Sequence, residues 1–227
     1  MRVEALVLAS QGCVWAIPPA SQITGVTGVS ARSTGAVDAA AAVGSEPAVG
    51  AGVTLFATDA LAVEVRGQLT DSAAAAAPGV WLRFPLGSSD RVWLGNRLGP
   101  VVGTGELGRF VPYDNPYAGG SWNAQLGWRV GRNPDNPGVV AITTGVEITL
   151  PLYGDTHPHV EQVRVGDERV DLVLLAGRWV PTELRIEAPV GPAGALTGSI
   201  GADWFGAEPL PRASLGVRLG LGPADER

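Results

Sequence analysis

Three side chains in the stretch GDTHPHVEQVRVG have the types and spacing of metal ligands. In an extended chain His157, His159 and Glu161 would share one face, because alternate side chains of a strand point the same way. Imidazoles at this spacing can reach one ion, and a carboxylate is a common further ligand. The sequence therefore predicts a metal site at these residues. The alternative is a polar hairpin loop, in which Pro158 holds His157 in an extended conformation.

This spacing resembles the first motif of the cupin family, in which a glycine precedes a His-x-His pair, a glutamate and a second glycine. The resemblance implies a metal-dependent enzyme on a jelly-roll fold. The chain departs from that pattern, since Gly154 is too close to His157. Val160 alone separates His159 from Glu161, and no further histidine remains for a second cupin motif. The sequence therefore favours a non-enzymatic protein, with no catalytic residue and no cofactor.

Four aromatic residues cluster in the stretch YDNPYAGGSWNAQLGW, namely Tyr113, Tyr117, Trp122 and Trp128. Aromatic faces bind the apolar face of a pyranose, and nearby Asp and Asn side chains can satisfy its hydroxyl groups. The cluster therefore predicts a carbohydrate-binding surface. The alternative is that these rings pack in the core of the fold.

Composition excludes several classes of function. All sixteen basic residues are arginines without a basic cluster, and the net charge is −6, which argues against a nucleic-acid partner. The sequence has no nucleophile elbow, dinucleotide fingerprint or phosphate-binding loop. Cys13 is the single cysteine, so no intrachain disulfide can form. No continuous apolar run reaches the length of a membrane-spanning helix, so we expect no membrane span.

The elements that position these residues are β-strands, and the clearest is residues 139–152. Apolar side chains at even positions, such as Ile142, alternate with polar or small ones at odd positions, such as Thr143 and Glu147. This alternation predicts a strand with its apolar face on a core and its polar face in solvent. At ~3.3 Å per residue the segment would be about 46 Å long, more than a usual strand. We therefore expect a bend near Gly145 or two successive strands.

Alternating segments recur at regular spacing as far as Leu221, and the chain is rich in turn-forming glycine and proline. This pattern predicts an all-β fold, an antiparallel jelly-roll-like β-sandwich over residues 109–227. Residues 1–108 are predicted to form an N-terminal β-region, either a second smaller β-domain or an extension of the sandwich. An Ala/Gly-rich arm is predicted within it, at residues 21–52.

Two local patterns complete the predicted elements. Apolar alternation at residues 53–56 and 61–68 predicts a hairpin. The run of alanines at residues 73–77 predicts a short helix capped by Asp71 or Ser72.

The texture of the chain resembles that of structural proteins of tailed bacteriophage particles. The resemblance lies in Gly/Ala/Thr/Val-rich β-segments and in paired hairpins such as VRVGDERVDLV and RWVPTELRIEA. It implies a non-enzymatic structural or accessory protein of the tail, baseplate or capsid, located in the virion after assembly in the host cytoplasm. Its partners would be copies of itself and other virion proteins, bound through residues 25–52 and exposed strand edges. A carbohydrate-binding receptor module is the alternative function.

Overall fold

The structure is a computed structural model, and it describes residues 34–44, 47–71, 73–88, 91–106, 114–131, 137–152, 160–165, 168–173, 177–205 and 208–222. The described strands are β1 (Gly35–Val43), β2 (Ala48–Phe56), β3 (Leu61–Thr70), β4 (Ala73–Pro85), β5 (Val92–Glu106), β6 (Asp114–Val130), β7 (Gly138–Pro151), β8 (Val160–Val165), β9 (Glu168–Val173), β10 (Gly177–Val190), β11 (Gly194–Phe205) and β12 (Glu208–Leu221). Within these residues there is no helix with the length and apolar character needed to cross a membrane.

Ten of these strands form one closed antiparallel barrel. Each barrel strand pairs with the next along the chain, except that β7 pairs with β10. Pairing of β12 with β1 closes the ring, and β8 and β9 form a separate two-stranded sheet. The all-β, antiparallel part of the predicted fold is correct, but the predicted jelly-roll-like β-sandwich is wrong. The sheet curls until its two edges meet, so none of the ten strands keeps a free edge.

The stagger of the strands explains how ten of them close. A path can be traced round the ring from each residue to its direct partner on the next strand, starting at Gly35 on β1. The path returns to the line of β1 about twelve residues farther along that strand, and this shift is the shear of the barrel. For ten strands this shear gives a strand tilt of about 40° and a barrel about 20 Å across between opposite Cα atoms. The inner wall of such a barrel brings side chains from all ten strands into one enclosed space.

The alternation predicted in residues 139–152 is present, but its two faces are reversed. β7 is one continuous strand, without the predicted division near Gly145. Ile142 lies on the outside and is 51% exposed, whereas Thr143 and Glu147 point inward and are 3% and 1% exposed. The prediction of an apolar core behind this strand is therefore wrong. Alternation shows that a strand has two different faces, but closure of the sheet decides which face is enclosed.

The helix predicted at residues 73–77 is also wrong, because these alanines begin β4. Ala74, Ala75 and Ala76 pair with β3 on one side and with β5 on the other. Pairing on both sides outweighs the intrinsic helix preference of alanine, which is a weak prior. The hairpin predicted from residues 53–56 and 61–68 is confirmed, since β2 and β3 are consecutive antiparallel strands.

Strands on both sides of the predicted domain boundary, at residues 108 and 109, belong to the same barrel. The boundary itself falls within residues 107–113, outside the described residues. Of the predicted arm at residues 21–52, the part from Gly35 onward forms β1 and the start of β2 in the barrel wall. Residues 21–33 lie outside the described part of the chain.

Large side chains of the inner wall lie over glycines on the neighbouring strand. Trp93 is paired directly with Gly127, and a Cβ on that glycine would come within 2.2 Å of the indole Cζ2 atom. Tyr117 is paired in the same way with Gly103, where a Cβ would come within 2.5 Å of the phenol oxygen. The glycines therefore provide the space in which the bulky inner side chains lie flat against the wall.

A glycine replacement on each face tests this arrangement. A Cβ on Gly79, on the inner face of β4, would come within 2.8 Å of the Arg97 Cζ atom, whereas at Gly67, on the outer face, the nearest atom is 3.9 Å away. We expect Gly79→Ala to lower the free energy of unfolding by about 1–3 kcal/mol through overpacking. Gly67→Ala should raise it by roughly 0.5–1 kcal/mol, because alanine loses less conformational freedom in a strand. Urea unfolding followed by tryptophan fluorescence measures both, and equal effects of the two changes would contradict the arrangement.

Candidate functional site: the charged interior of the barrel

The interior of the barrel, called the lumen below, is lined by charged side chains that are almost fully buried. Each is at most 6% exposed. Charged groups are rarely buried to this extent unless they are paired. The members are Asp38, Glu64, Arg66, Arg97, Glu147, Glu183, Arg185, Glu187, Asp203, Arg212 and Arg218.

Four of these residues form a first ion-pair belt, which runs along the wall from β1 to β5. Arg66 on β3 contacts Asp38 on β1 at 2.5 Å and Glu64 at 3.5 Å. Arg97 on β5 contacts the other oxygen of Glu64 at 2.7 Å. The Arg97 guanidinium also donates to the Ser121 hydroxyl and to the carbonyl of Ala77, each at 2.7 Å. Arg97 therefore ties together β3, β4, β5 and β6.

Two pairs of this belt, Arg66–Asp38 and Arg97–Glu64, join strands that are not neighbours. Asp38, Gly52 and Arg66 occupy one row across β1, β2 and β3, so the guanidinium reaches Asp38 by crossing the glycine. A Cβ on Gly52 would come within 2.9 Å of both charged groups. Strands two apart are separated by about 10 Å, a distance that an arginine and a carboxylate can span together. Gly79 provides the corresponding space beneath Arg97.

A second ion-pair belt covers the opposite wall on β10, β11 and β12. Arg212 contacts Glu183 at 3.3 Å and Asp203 at 3.2 Å. It reaches Glu183 across Gly201, which pairs directly with both residues. Glu187 contacts Arg218 and Arg185, and these two ion pairs complete the belt.

Each belt is electrically balanced. The first contains two carboxylates and two guanidinium groups, and the second contains three of each. Pairing offsets the desolvation cost of enclosing these charges, and removal of one partner would leave a buried charge uncompensated. The belts therefore hold opposite walls of the lumen in fixed positions and fill the space between them with side chains.

One end of the lumen, where β4, β5 and β6 meet, is occupied by an indole. The guanidinium carbons of Arg83 and Arg129 lie 4.9 Å and 5.9 Å from the centroid of the Trp93 ring. The Trp93 Nε1 atom donates to the side-chain oxygen of Gln125 at 3.4 Å. Gln125 in turn donates to the Thr143 hydroxyl at 3.1 Å, which links β5, β6 and β7.

The outer wall has the opposite character. Leu98, Leu215 and Ile200 are 67%, 76% and 62% exposed. At the outward-facing positions of the barrel strands whose side chains are described, there is no aspartate, glutamate, arginine or histidine. Over its described outward-facing positions the barrel therefore presents a predominantly apolar surface and keeps its charges inside.

The structure separates the residues of the predicted carbohydrate surface. Tyr117 points into the lumen and is 1% exposed, whereas Trp122 and Trp128 lie on the outer face of the same strand. Tyr113 lies outside the described residues. Tyr117 and the two tryptophans therefore do not form one surface, and carbohydrate binding stays a prediction.

The predicted metal ligands fall largely beyond the described structure. His157 and His159 lie outside the described residues, and Glu161 lies in β8 without a described side chain. Among the side chains that are described, no group of three or more His, Cys, Asp or Glu residues could hold a metal ion. The metal site at these three residues stays a prediction.

The ion-pair belts were not apparent in the sequence, where their members occupy the polar positions of alternating strands. The signal that could have revealed them lies on the opposite face. On β10, for example, Val180, Leu184 and Ile186 alternate with Glu183, Arg185 and Glu187, so from Val180 onward every charge is confined to one face. Repetition of this separation over ten strands is typical of a barrel with an apolar exterior and a polar lumen.

A double-mutant cycle on Glu64 and Arg97 tests the first belt. We expect Arg97→Met to lower the free energy of unfolding by about 3–5 kcal/mol, because it leaves Glu64 buried beside fewer positive charges. Glu64→Gln should have a cost of the same order, and the double replacement should cost much less than the sum of the two. Arg91→Met, at an exposed loop position, is the matched control. Additive effects in urea unfolding would show that this pair is not coupled.

No protein-family model matches this chain, and no curated protein does. Solved structures similar to it include a bacterial polysaccharide outer membrane secretin, with a TM-score of 0.46, 9% identity, and coverage of 80% of this chain and 58% of that chain. Others are the KdgM porin (TM-score 0.41, 7% identity, 82% and 99% coverage) and the β domain of the Bordetella autotransporter Brka (0.43, 12%, 83% and 99%). The chain thus spans little more than half of the secretin. All three TM-scores are below 0.5, so the function is inferred from the surfaces of this barrel alone.

Proposed function

We propose that this chain is a membrane-spanning β-barrel of the bacterial outer-membrane type, whose lumen is closed by ion-paired side chains. The observation that carries the proposal is the reversed polarity of the wall. A protein in water gains stability by removing apolar side chains from solvent, whereas this barrel exposes them over its whole outer face. The arrangement is stable where the surroundings are themselves apolar, as in the core of a bilayer.

The dimensions of the barrel support the same proposal. Its strands run from 9 residues in β1 to 17 in β6, and a tilted strand needs about 9–11 residues to cross a bilayer. Closure pairs every strand on both sides, which satisfies the backbone groups that hydrocarbon cannot. Phe84 and Trp128 lie near one end of the outer wall and Trp204 toward the other, roughly 25 Å apart along the axis, as in aromatic girdles.

The resemblance to bacteriophage structural proteins is wrong, and so are the virion location and the virion partners that it implied. Assembly through exposed strand edges requires edges, and closure of the barrel removes them. The small and β-branched residues that carried the resemblance build barrel strands instead. The expectation of no membrane span is wrong as well, because it rested on continuous apolar runs. That criterion applies to helices, whereas a barrel strand needs apolar residues only at alternate positions.

The filled lumen limits what this barrel can do. Wide porins keep a water-filled channel, whereas the charged side chains of both belts here are almost completely enclosed. We therefore assign the chain a structural role in the membrane rather than free diffusion of solutes. A lack of enzymatic activity is part of the proposal, because the inner charged groups are engaged with one another.

The connections indicate an orientation. β7 and β10 are joined by a long connection, residues 152–176, which includes β8 and β9. The ends of β7 and β10 that it joins lie at the same end of the barrel as the β5–β6 connection. At the other end the turns at residues 57–60 and 191–193 are short, and β1 begins and β12 ends there. Longer loops of such barrels face the cell exterior, so the end that carries β8 and β9 is assigned to that side.

Quenching of tryptophan fluorescence by brominated lipid tests the membrane location. Trp122 and Trp204 are 44% and 37% exposed on the outer face, whereas Trp93 and Trp179 are 2% and 3% exposed in the lumen. With the protein diluted in vesicles, replacing Trp122, Trp128 and Trp204 on the outer face by phenylalanine should remove most of the quenchable emission. Replacing Trp93 and Trp179 in the lumen should leave the quenchable emission unchanged. Emission that brominated lipid does not quench would refute the proposal.

A permeability measurement tests the closed lumen. Vesicles that contain the protein should exclude sucrose as well as protein-free vesicles do. The double replacement Glu64→Ala/Arg97→Ala removes a neutral pair from the first belt, so we expect it to raise ion conductance in planar bilayers. Rapid entry of sucrose through the wild-type protein would show that the lumen is open.

A further inference from the structure

Five oxygen atoms on the inner wall have no hydrogen-bond partner within the described part of the chain. Each belongs to a side chain that is at most 6% exposed. They are the Oδ1 atoms of Asp38 and Asn123 and the hydroxyl oxygens of Thr54, Tyr117 and Thr149. A buried polar atom without a partner is costly, and ordered water commonly satisfies such atoms. A water molecule would therefore be stabilised beside each of these oxygens.

The five oxygens lie on the two parts of the wall that separate the ion-pair belts. Asp38 and Thr54 are on β1 and β2, which lie between β12 and β3 in the ring. The other three are on β6 and β7, which lie between β5 and β10 on the opposite side of the ring. The oxygens therefore face each other across the space between the belts.

At β1 and β12 the two belts turn away from each other. Asp38 and Arg218 are paired directly across these strands. Asp38 nevertheless contacts Arg66 on β3, whereas Arg218 contacts Glu187 on β10. The next inner positions on the two strands carry small residues, namely Ala40, Ala42, Ser214 and Gly216. Little side-chain volume therefore enters the lumen from this part of the wall.

On the opposite side, the inner face of β6 and β7 is polar from mid-barrel to one end. Asn123 is the tenth of the 17 residues of β6. Ser121 and Glu147, which are paired directly, come next along the wall. Thr149 and Tyr117 follow toward the end that carries β8 and β9. This side of the lumen thus offers an unbroken series of groups that can bond to water.

A cavity continues the polar surface at the other end of the barrel. Its volume is about 20 Å³, which is enough for one water molecule. The cavity lies beneath the turn at residues 57–60 and is lined by Thr54, the residue whose buried hydroxyl has no partner. Water at this end would meet a group that needs it.

The width of the barrel leaves room for such water. Side chains just fill the interior of an eight-stranded barrel, and this barrel has ten strands. Its large inner side chains also lie flat over glycines, as Tyr117 does over Gly103 and Arg97 over Gly79. A narrow space between the belts is the consequence.

We propose that the barrel conducts water through a narrow passage between the two ion-pair belts, lined by the five oxygens. The inference rests on the proposed membrane location and adds a transport activity to the structural role. Molecules as large as sugars are excluded, because the belts narrow the passage from both sides.

Osmotic shrinkage of vesicles that contain the full chain tests the passage. Stopped-flow light scattering records the rate at which vesicles shrink when they are mixed with hyperosmotic sucrose. We expect a rate severalfold higher than that of protein-free vesicles of the same lipid and size. Because sucrose is excluded, the shrunken vesicles should not swell again.

Two matched pairs of replacements place the passage in the lumen. Asn123→Leu removes the mid-barrel oxygen and should return the rate nearly to that of protein-free vesicles, because an apolar constriction expels water. Asn96→Leu makes the same change on the outer face of β5 and should keep the wild-type rate. Thr149→Val in the lumen should likewise lower the rate, whereas Thr144→Val on the outer face should not.

Insertion of every variant is checked first by brominated-lipid quenching, and where Asn123→Leu does not insert, the threonine pair decides. A wild-type protein that fails to insert refutes the membrane location and the passage with it. Inserted wild-type protein that leaves the shrinkage rate at the protein-free value refutes the passage alone, as does an unchanged rate in the inserted lumen variants. Renewed swelling would show that sucrose enters, which contradicts both the closed lumen and a passage limited to water.

Discussion

Charge compensation inside a closed wall is the interaction on which the rest of this structure depends. Arg66, Arg97 and Arg212 are enclosed almost completely, so each needs a carboxylate within reach along the wall. Each has one partner that lies two strands away, and the intervening strand carries Gly52, Gly79 or Gly201. Gly52 and Gly79, although glycine weakens a strand locally, therefore make the first belt possible, because a side chain at either position would occupy the path of the guanidinium group.

Closure of the barrel and its proposed location in a membrane both follow from the alternation of polar and apolar side chains along the strands. Charges on the inner face require an enclosed space, and the apolar outer face requires surroundings that do not favour water. The closed barrel meets the first requirement and a bilayer meets the second.

Part of the candidate site could be predicted from the sequence, and part could not. The strand that carries Glu183, Arg185 and Glu187 was evident from its alternation, as was the separation of these charges from the apolar side chains. Their pairing with Arg212 and Arg218 was not, because those residues are distant in sequence and become neighbours only through the pairing of β10, β11 and β12. The separation of Tyr117 from Trp122 was not recognised for a related reason, since the two residues differ by an odd number of positions and lie on opposite faces of β6.

The sequence by itself determined the local structure of the described chain: antiparallel strands with two unlike faces, and hairpins such as β2–β3. These follow from backbone geometry, in which side chains alternate with a period of two residues. The tertiary structure alone decided that the sheet closes, which face it encloses, and which arginine meets which carboxylate. Those outcomes depend on strand stagger accumulated over ten pairings, and no single segment of the sequence contains that information.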